Sequence, residues 1–308
     1  MKQVKVLAPA KINLFLKILN KREDGYHNIE TVFEKISLFD KVILKDIPTD
    51  KVVIESNCKD ILLAQKNNTV YKAICLIKNK FRIKRGLYVY IEKNIPIAAG
   101  LGGGSSDAAA TIKGLNKLWN LGLSKKELLN LSRGIGSDVP LFMAEGSFLL
   151  GSERGNKVSK ISKTDNLKLW HILIASGIKV STPYAYSLFD KHYVRGEGEF
   201  RGSSLSKRLR LTIPPYGANI VTCALLKRDV SLLNYYSYNS FENLVIKQFP
   251  KLARLKGVLE DIAHDFVHMS GSGSALFMTF SNRKGAEYLI RKMRGLPKVC
   301  RYFLVSTL

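Results

Sequence analysis

Cysteine is scarce, acid is outnumbered by base, and long apolar runs are missing. Each shortage excludes something. Cys58, Cys75, Cys223 and Cys300 stand far apart with no metal-ligand spacing. No metal ligands are therefore assigned, and scattered thiols fit a reducing, cytoplasmic setting. No apolar run reaches the roughly 18 residues of a transmembrane helix. Lys11 and Lys17 interrupt the first apolar stretch, so no signal peptide is expected. Acidic residues number 25 against 49 basic ones, a net charge of +24. Such charge can attract nucleic acid or an anionic membrane. Here it is spread along the chain, and its densest patch, RGSSLSKRLR at 201–210, is short and lacks interleaved aromatics. The charge suits anionic small molecules as well, and neither nucleic acid nor membrane is the expected partner.

The 308 residues, 46% hydrophobic, suffice for two domains with proper cores, placed at 1–165 and 166–308. The most informative stretch is PIAAGLGGGSSDAAA at 96–110. It suggests a strand over 87–91, a glycine-rich loop, and a helix to about Trp119 with Ser105, Ser106 and Asp107 as capping residues. Loop N–H groups and the positive helix end suit phosphate oxygens. No lysine follows at the Walker A position, and no acidic residue stands where a dinucleotide fold needs one. A purely structural turn remains the alternative, although so many glycines are costly in unfolded-state entropy.

Ile12, Leu14, Leu16 and Ile18 alternate as in a half-buried strand. Lys11 and Asn13 share its other face, where a solvated lysine would be ordinary. Asp24-Gly25 signals a hairpin turn, with Tyr26 and His27 starting the return. Strands are expected at 41–45 and 51–55. Val70, Ala73, Ile74, Ile77 and Phe81 mark an amphipathic helix, and Ser124 with Glu127 a capping box. Asp138 lies in a glycine-bounded turn before a strand expected over 141–150. It is either chemically active or a helix-ending residue bonded to nearby backbone. Further on, LWHILIA is strand-like, and Thr182 caps a helix with Pro183 at its first position. Residues 190–216 form a polar, basic loop or insertion. Helices are expected near 218–226, 241–248 and 252–262. A second glycine-rich turn at 268–280 enters a strand, followed by a helix at 284–293 and a strand at 299–305. No internal repeat is evident.

Together, APAKINLFLKI at 8–18, DGYHNIET at 24–31, NNTVYKA at 67–73, the loop at 96–110, GSDVP at 136–140, STPYAY at 181–186 and MSGSGSALF at 269–277 carry a resemblance. Over nearly its whole length the chain resembles the galactokinase, homoserine kinase, mevalonate kinase and phosphomevalonate kinase superfamily. PAKINL, DGYH and GSDVP resemble the branch acting on a cytidine-diphosphate-linked methylerythritol in isoprenoid synthesis. The resemblance implies an α+β fold with an N-terminal ATP-binding domain, a C-terminal ferredoxin-like domain and the site between them. It implies ATP with Mg2+, and phosphorylation of the acceptor's 2-hydroxyl. Asp138 would take the hydroxyl proton beside Lys11, which offsets developing negative charge. Pro96, Ala98, Ala99, Gly100, Leu101, Gly102, Gly103, Gly104, Ser105 and Ser106 would cradle ATP, with Asn68 near the adenine. Asn13, Tyr26, His27 and Thr182 would meet the acceptor, Tyr26 stacking on cytosine and His27 bonding its edge. The loop at 270–274 would close on the phosphorylated end. Two departures stand out. LLGSERGNKV after Phe148 breaks the expected glycine–glutamate pattern, so Glu153 and Arg154 receive no role. The segment at 190–216 is longer and more basic than expected.

Overall fold

A computed structural model describes residues 2–58, 68–192, 216–293 and 300–308. The chain opens on two long antiparallel strands, β1 (Gln3–Lys21) and β2 (His27–Ile47). They are joined at Asp24-Gly25, where Gly25 takes φ +82°, a value glycine adopts without strain. The short strands expected at 12–18 and 41–45 are parts of this hairpin. Next come β3 (Val52–Ser56), α1 (Thr69–Phe81), β4 (Gly86–Glu92), α2 (Gly103–Leu118), α3 (Lys125–Ser132), α4 (Val139–Met143), β5 (Phe148–Ser152) and β6 (Lys157–Lys160). The β2 strand pairs with β4 through 41–47 and with β5 through 31–34. Helix α2 closes tightly on the hairpin because its inner face is small. A Cβ at Gly114 would meet Leu44 Cδ1 at 2.2 Å, and Ala108, Ala109 and Ala110 are buried beside it.

The rest of the chain runs β7 (Trp170–Ala175), α5 (Thr182–His192), α6 (Ala218–Lys227), α7 (Val230–Tyr236), β8 (Tyr238–Asn239), α8 (Glu242–Gln248), α9 (Pro250–Ala263), β9 (His268–Met269), β10 (Leu276–Phe280), α10 (Arg283–Lys292) and β11 (Arg301–Ser306). Its sheet is antiparallel in the order β11-β7-β10-β9. That order is the signature of a ferredoxin-like βαββαβ unit. The β8 strand crosses over and pairs with β1 in the first sheet. The architecture is α+β, as expected, with a ferredoxin-like sheet in the second half of the chain.

Three local expectations are corrected. Residues 141–150 are not one strand: Leu141 and Phe142 belong to α4, Gly146 turns at φ +80°, and β5 starts at Phe148. A short apolar run gives no period by which to tell strand from helix. Helix α2 begins on Gly102 as its cap, leaving Ser105, Ser106 and Asp107 inside the helix. Thr182 is already helical, and Ser181 Oγ accepts from Tyr184 N–H instead, at 3.3 Å. Helix α7 and the short strands β6 and β8 carry no pattern that announced them. The capping box of Ser124 and Glu127 forms as expected. Of the segment 190–216, residues 193–215 lie outside the described residues. Among the described residues, no helix is long and apolar enough to cross a membrane.

Candidate active site

The site is built where two glycine-rich loops meet. Lys11 N–H on β1 donates to Leu101 O at 3.0 Å, fixing the first loop against the strand. Gly100 and Gly102 take φ +77° and +70°. A Cβ on Gly100 would lie 2.1 Å from Ser270 O of the second loop. Ser270 Oγ donates to Gly100 O at 3.1 Å, and Ala275 N–H to Ala99 O at 3.1 Å. The segment before α5 joins them through Val180 N–H to Ala98 O at 3.3 Å. The loop at 270–274 thus backs the phosphate loop itself. Asn239 supports it, donating to Met269 O and Gly271 O at 2.6 and 2.8 Å.

One cavity of about 880 Å³ opens in front of these loops. Every individually expected site residue lines it except Ser106, and of the loop at 270–274 Gly271 and Ser272 do. Lys11 is buried rather than solvated, and its Nζ donates to Asn13 Oδ1 at 2.6 Å. Burial pushes its ammonium below the ordinary lysine range, and the neighbouring Asp138 charge pulls it back up. Asp138 stands at the N-terminus of α4, yet its side chain makes no capping hydrogen bond. The helix-ending alternative therefore falls, and the carboxylate is left to the cavity. Asn13 Nδ2 donates to Thr31 Oγ1 at 2.8 Å, which orients the amide. Asn68 caps α1, accepting from Val70 N–H at 2.8 Å. Thr69 Oγ1 donates to Gly104 O at 2.8 Å, tying that helix to the loop.

At the other end, His27 is buried and stacks on Tyr186 at 5.0 Å. Tyr26 is 53% exposed, with the Arg154 guanidinium 4.8 Å from its ring centre. Thr182 Oγ1 pairs with Ser272 Oγ at 3.1 Å.

Four elements of the cavity escaped the sequence reading. Tyr186 offers an aromatic face. Arg154 covers Tyr26 after all. Asp190 bonds His27. Lys93, nearly buried, pairs with both Asp40 and Asp107, the latter at 2.7 Å. Burial pushes the Asp107 carboxyl up to about 7, against the pull of Lys93 and with the charge of Asp40 adding to it. Only the STPYAY stretch gave any hint, because Tyr186 falls one helical turn after Thr182.

The loop fits a nucleoside triphosphate. It has bare backbone at φ > 0, the positive end of a 16-residue helix, and two buried oxygens without partners, Ser106 Oγ and Asp107 Oδ1. Among the described residues no group of three acidic, histidine or cysteine side chains could cage a metal. Mg2+ itself is commonly held by phosphates and one or two protein oxygens.

The family model for the GHMP kinases N terminal domain matches residues 68–146. In structure, the chain is similar to a crystal structure of homoserine kinase from Cytophaga hutchinsonii at TM-score 0.70 and 17% identity, covering 100% of this chain and 95% of that one. Fold and loop together define the class, the GHMP kinases. Similarity is greater to a crystal structure of 4-(cytidine 5'-diphospho)-2C-methyl-D-erythritol kinase, at TM-score 0.74 and 26% identity, covering 98% and 99% of the two chains. In sequence, the chain is 38% identical over 280 residues to the 4-diphosphocytidyl-2-C-methyl-D-erythritol kinase of Bacillus cereus (88% of this chain, 86% of that one). It is 34% identical over 296 residues to the enzyme of that name from Brevibacillus brevis (96% and 94%). The chain belongs to the 4-diphosphocytidyl-2-C-methyl-D-erythritol kinase family.

Proposed function

We infer that the protein transfers the γ-phosphoryl group of ATP to the 2-hydroxyl of 4-diphosphocytidyl-2-C-methyl-D-erythritol, giving the 2-phosphate and ADP in non-mevalonate isoprenoid synthesis. The observation that carries this is Asp138: a carboxylate without a capping bond beside buried Lys11, in the same cavity as the glycine loop and the aromatic corner. Phosphoryl transfer is mostly positioning and charge stabilisation. The N–H groups of residues 100–105 hold the triphosphate, and α2 directs its positive end at it. Asp138 accepts the acceptor's hydroxyl proton. Lys11, held by Asn13, offsets charge on the transferred group. Asn68 lies at the adenine end, and Thr182 with Asn13 lines the acceptor's path. Tyr26 offers its exposed ring to the cytosine, and such stacking is worth roughly 1–3 kcal/mol per base in other systems. Asp107, which lines the cavity, would offer Oδ1 to Mg2+, which would neutralise triphosphate charge when bound. The four free thiols agree with a cytoplasmic enzyme.

The test is phosphate transfer from magnesium-ATP to the cytidine-linked alcohol, to homoserine and to mevalonate. Product from the first alone is expected. Transfer to either of the others instead overturns the acceptor assignment.

A further inference from the structure

The aromatic corner holds an ionised group that phosphoryl transfer itself does not use. Asp190, in the last turn of α5, faces His27 Nε2 at 2.7 Å and forms an ion pair with Lys21 at the end of β1. Burial works against its charge. The hydrogen bonds from Lys21 and His27 and the charge of Lys21 work the other way, and the carboxyl is held below the usual carboxylate range. An ionised carboxylate only accepts hydrogen bonds, so the proton between the two groups sits on Nε2. Tyr186 stacks on the ring at 5.0 Å, and Phe189 meets it edge-on at 5.7 Å. The imidazole is therefore held on a face and at an edge as well as at Nε2. Among the described residues no group bonds Nδ1. That nitrogen is the one left for a ligand, and in a neutral ring protonated at Nε2 it is an acceptor.

We propose that Asp190, braced by Lys21, is a positioning residue that fixes His27 as the Nε2–H tautomer, so that Nδ1 accepts from an exocyclic amino group and the site takes a cytidine nucleotide in preference to a uridine one. The proposal rests on the cytidine reading above. A cytosine ring presents its amino N–H to that acceptor. A uracil ring presents a carbonyl oxygen at the same place, so two lone pairs face each other and a polar contact is lost.

Calorimetric titration with CDP and with UDP tests this in the wild type, Asp190→Asn and His27→Ala. It is joined by nitrogen NMR of the imidazole and by steady-state kinetics. In Asp190→Asn, Lys21 can only donate and so takes the amide oxygen. The amide N–H2 then faces Nε2, which must accept, and the ring proton moves to Nδ1. The wild type is expected to prefer CDP by about tenfold or more, the scale of one hydrogen bond. Asp190→Asn should lose that preference, raise KM for the cytidine acceptor, and leave kcat and the KM for ATP near their wild-type values. Its two ring-nitrogen signals should exchange character. A merely structural role for Asp190 would not exchange them. Preference retained in Asp190→Asn, or a wild-type ring protonated at Nδ1, overturns the proposal. His27→Ala that binds CDP as tightly as the wild type overturns the cytidine reading, and this inference with it. Weak CDP binding by His27→Ala beside unchanged preference in Asp190→Asn sinks only the tautomer role.

Discussion

Lys11 and Asp138 come from opposite ends of the first half of the chain, and each has an ordinary explanation alone. What removes those explanations is their surroundings. Lys11 is only 4% exposed, and an ammonium so placed must have a use for its charge or a partner that shares it. Asp138 supplies the opposite charge and gives up the capping bond its position invites. Replacing Asp138 by Asn keeps the shape and removes the proton acceptor. It should lower kcat by about 10²–10⁴, the scale of a positioned acid or base, with ATP affinity retained. Single-turnover transfer and nucleotide binding would separate the two, and a variant that kept most of its rate would remove Asp138 from the mechanism. At this scale the motif residues were readable because each motif is local in sequence. The partners Asp40, Asp107 and Lys93 were not, because Lys93 reaches Asp40 across 53 positions and no local pattern encodes such a contact.

Among elements, the two glycine loops behave as one unit. Alanine at position 100 would be strained by φ +77°, and its Cβ would collide with the backbone carbonyl of Ser270. Gly100→Ala should destabilise the fold by about 1–3 kcal/mol, the scale of a strained backbone residue. It should also raise the KM for ATP more than that for the acceptor. Gly257, in α9 with open space around it, is the control: alanine there should be neutral or stabilising. Equal behaviour of the two variants would contradict the contact between the loops. Helix α4, which sets Asp138, is held at its other end by two lysines, of which Lys35 is buried. Lys35 Nζ donates to Ala144 O at 2.5 Å and Lys113 Nζ to Phe142 O at 2.7 Å. Burial first, then the charge of Lys113, lowers Lys35 to about 8 from 10.5. Between those values the unfolded chain binds more protons than the folded one. Lys35 therefore makes stability rise with pH across that window. Lys35→Met should flatten the rise in urea midpoint from pH 8 to 10, and a slope unchanged from wild type would refute the assignment. A long element with a clear period, such as α1, was evident from sequence. The five-residue α4 was not, because it is too short to show a period.

Over the whole molecule, side chains from the two sheets meet at one join. The join is polar and buried. His171 on β7 bonds Glu34 of β2 at 3.0 Å and Thr279 of β10 at 3.1 Å, and Thr307 donates to the same Glu34 oxygen at 2.7 Å. Glu34 and His171 are fully buried, and Glu34 Oε2 has no partner. Beyond β11, Leu308 N–H reaches Lys35 O at 3.1 Å, so the last residues lie against the strand whose Lys35 holds α4. Such a network is costly to break from one side. His171→Leu leaves a buried carboxylate without its main partner and should cost about 3–5 kcal/mol. Removing both groups, Glu34→Leu with His171→Leu, should cost much less than the sum of the two single changes, because no buried charge is then stranded. Denaturant unfolding of the four proteins of this cycle measures the difference. Additive losses would mean that the two sheets are held together by apolar packing alone. Coupled losses, with both KM values unchanged in whatever remains folded, would place this join in the stability of the fold, apart from the chemistry at its front.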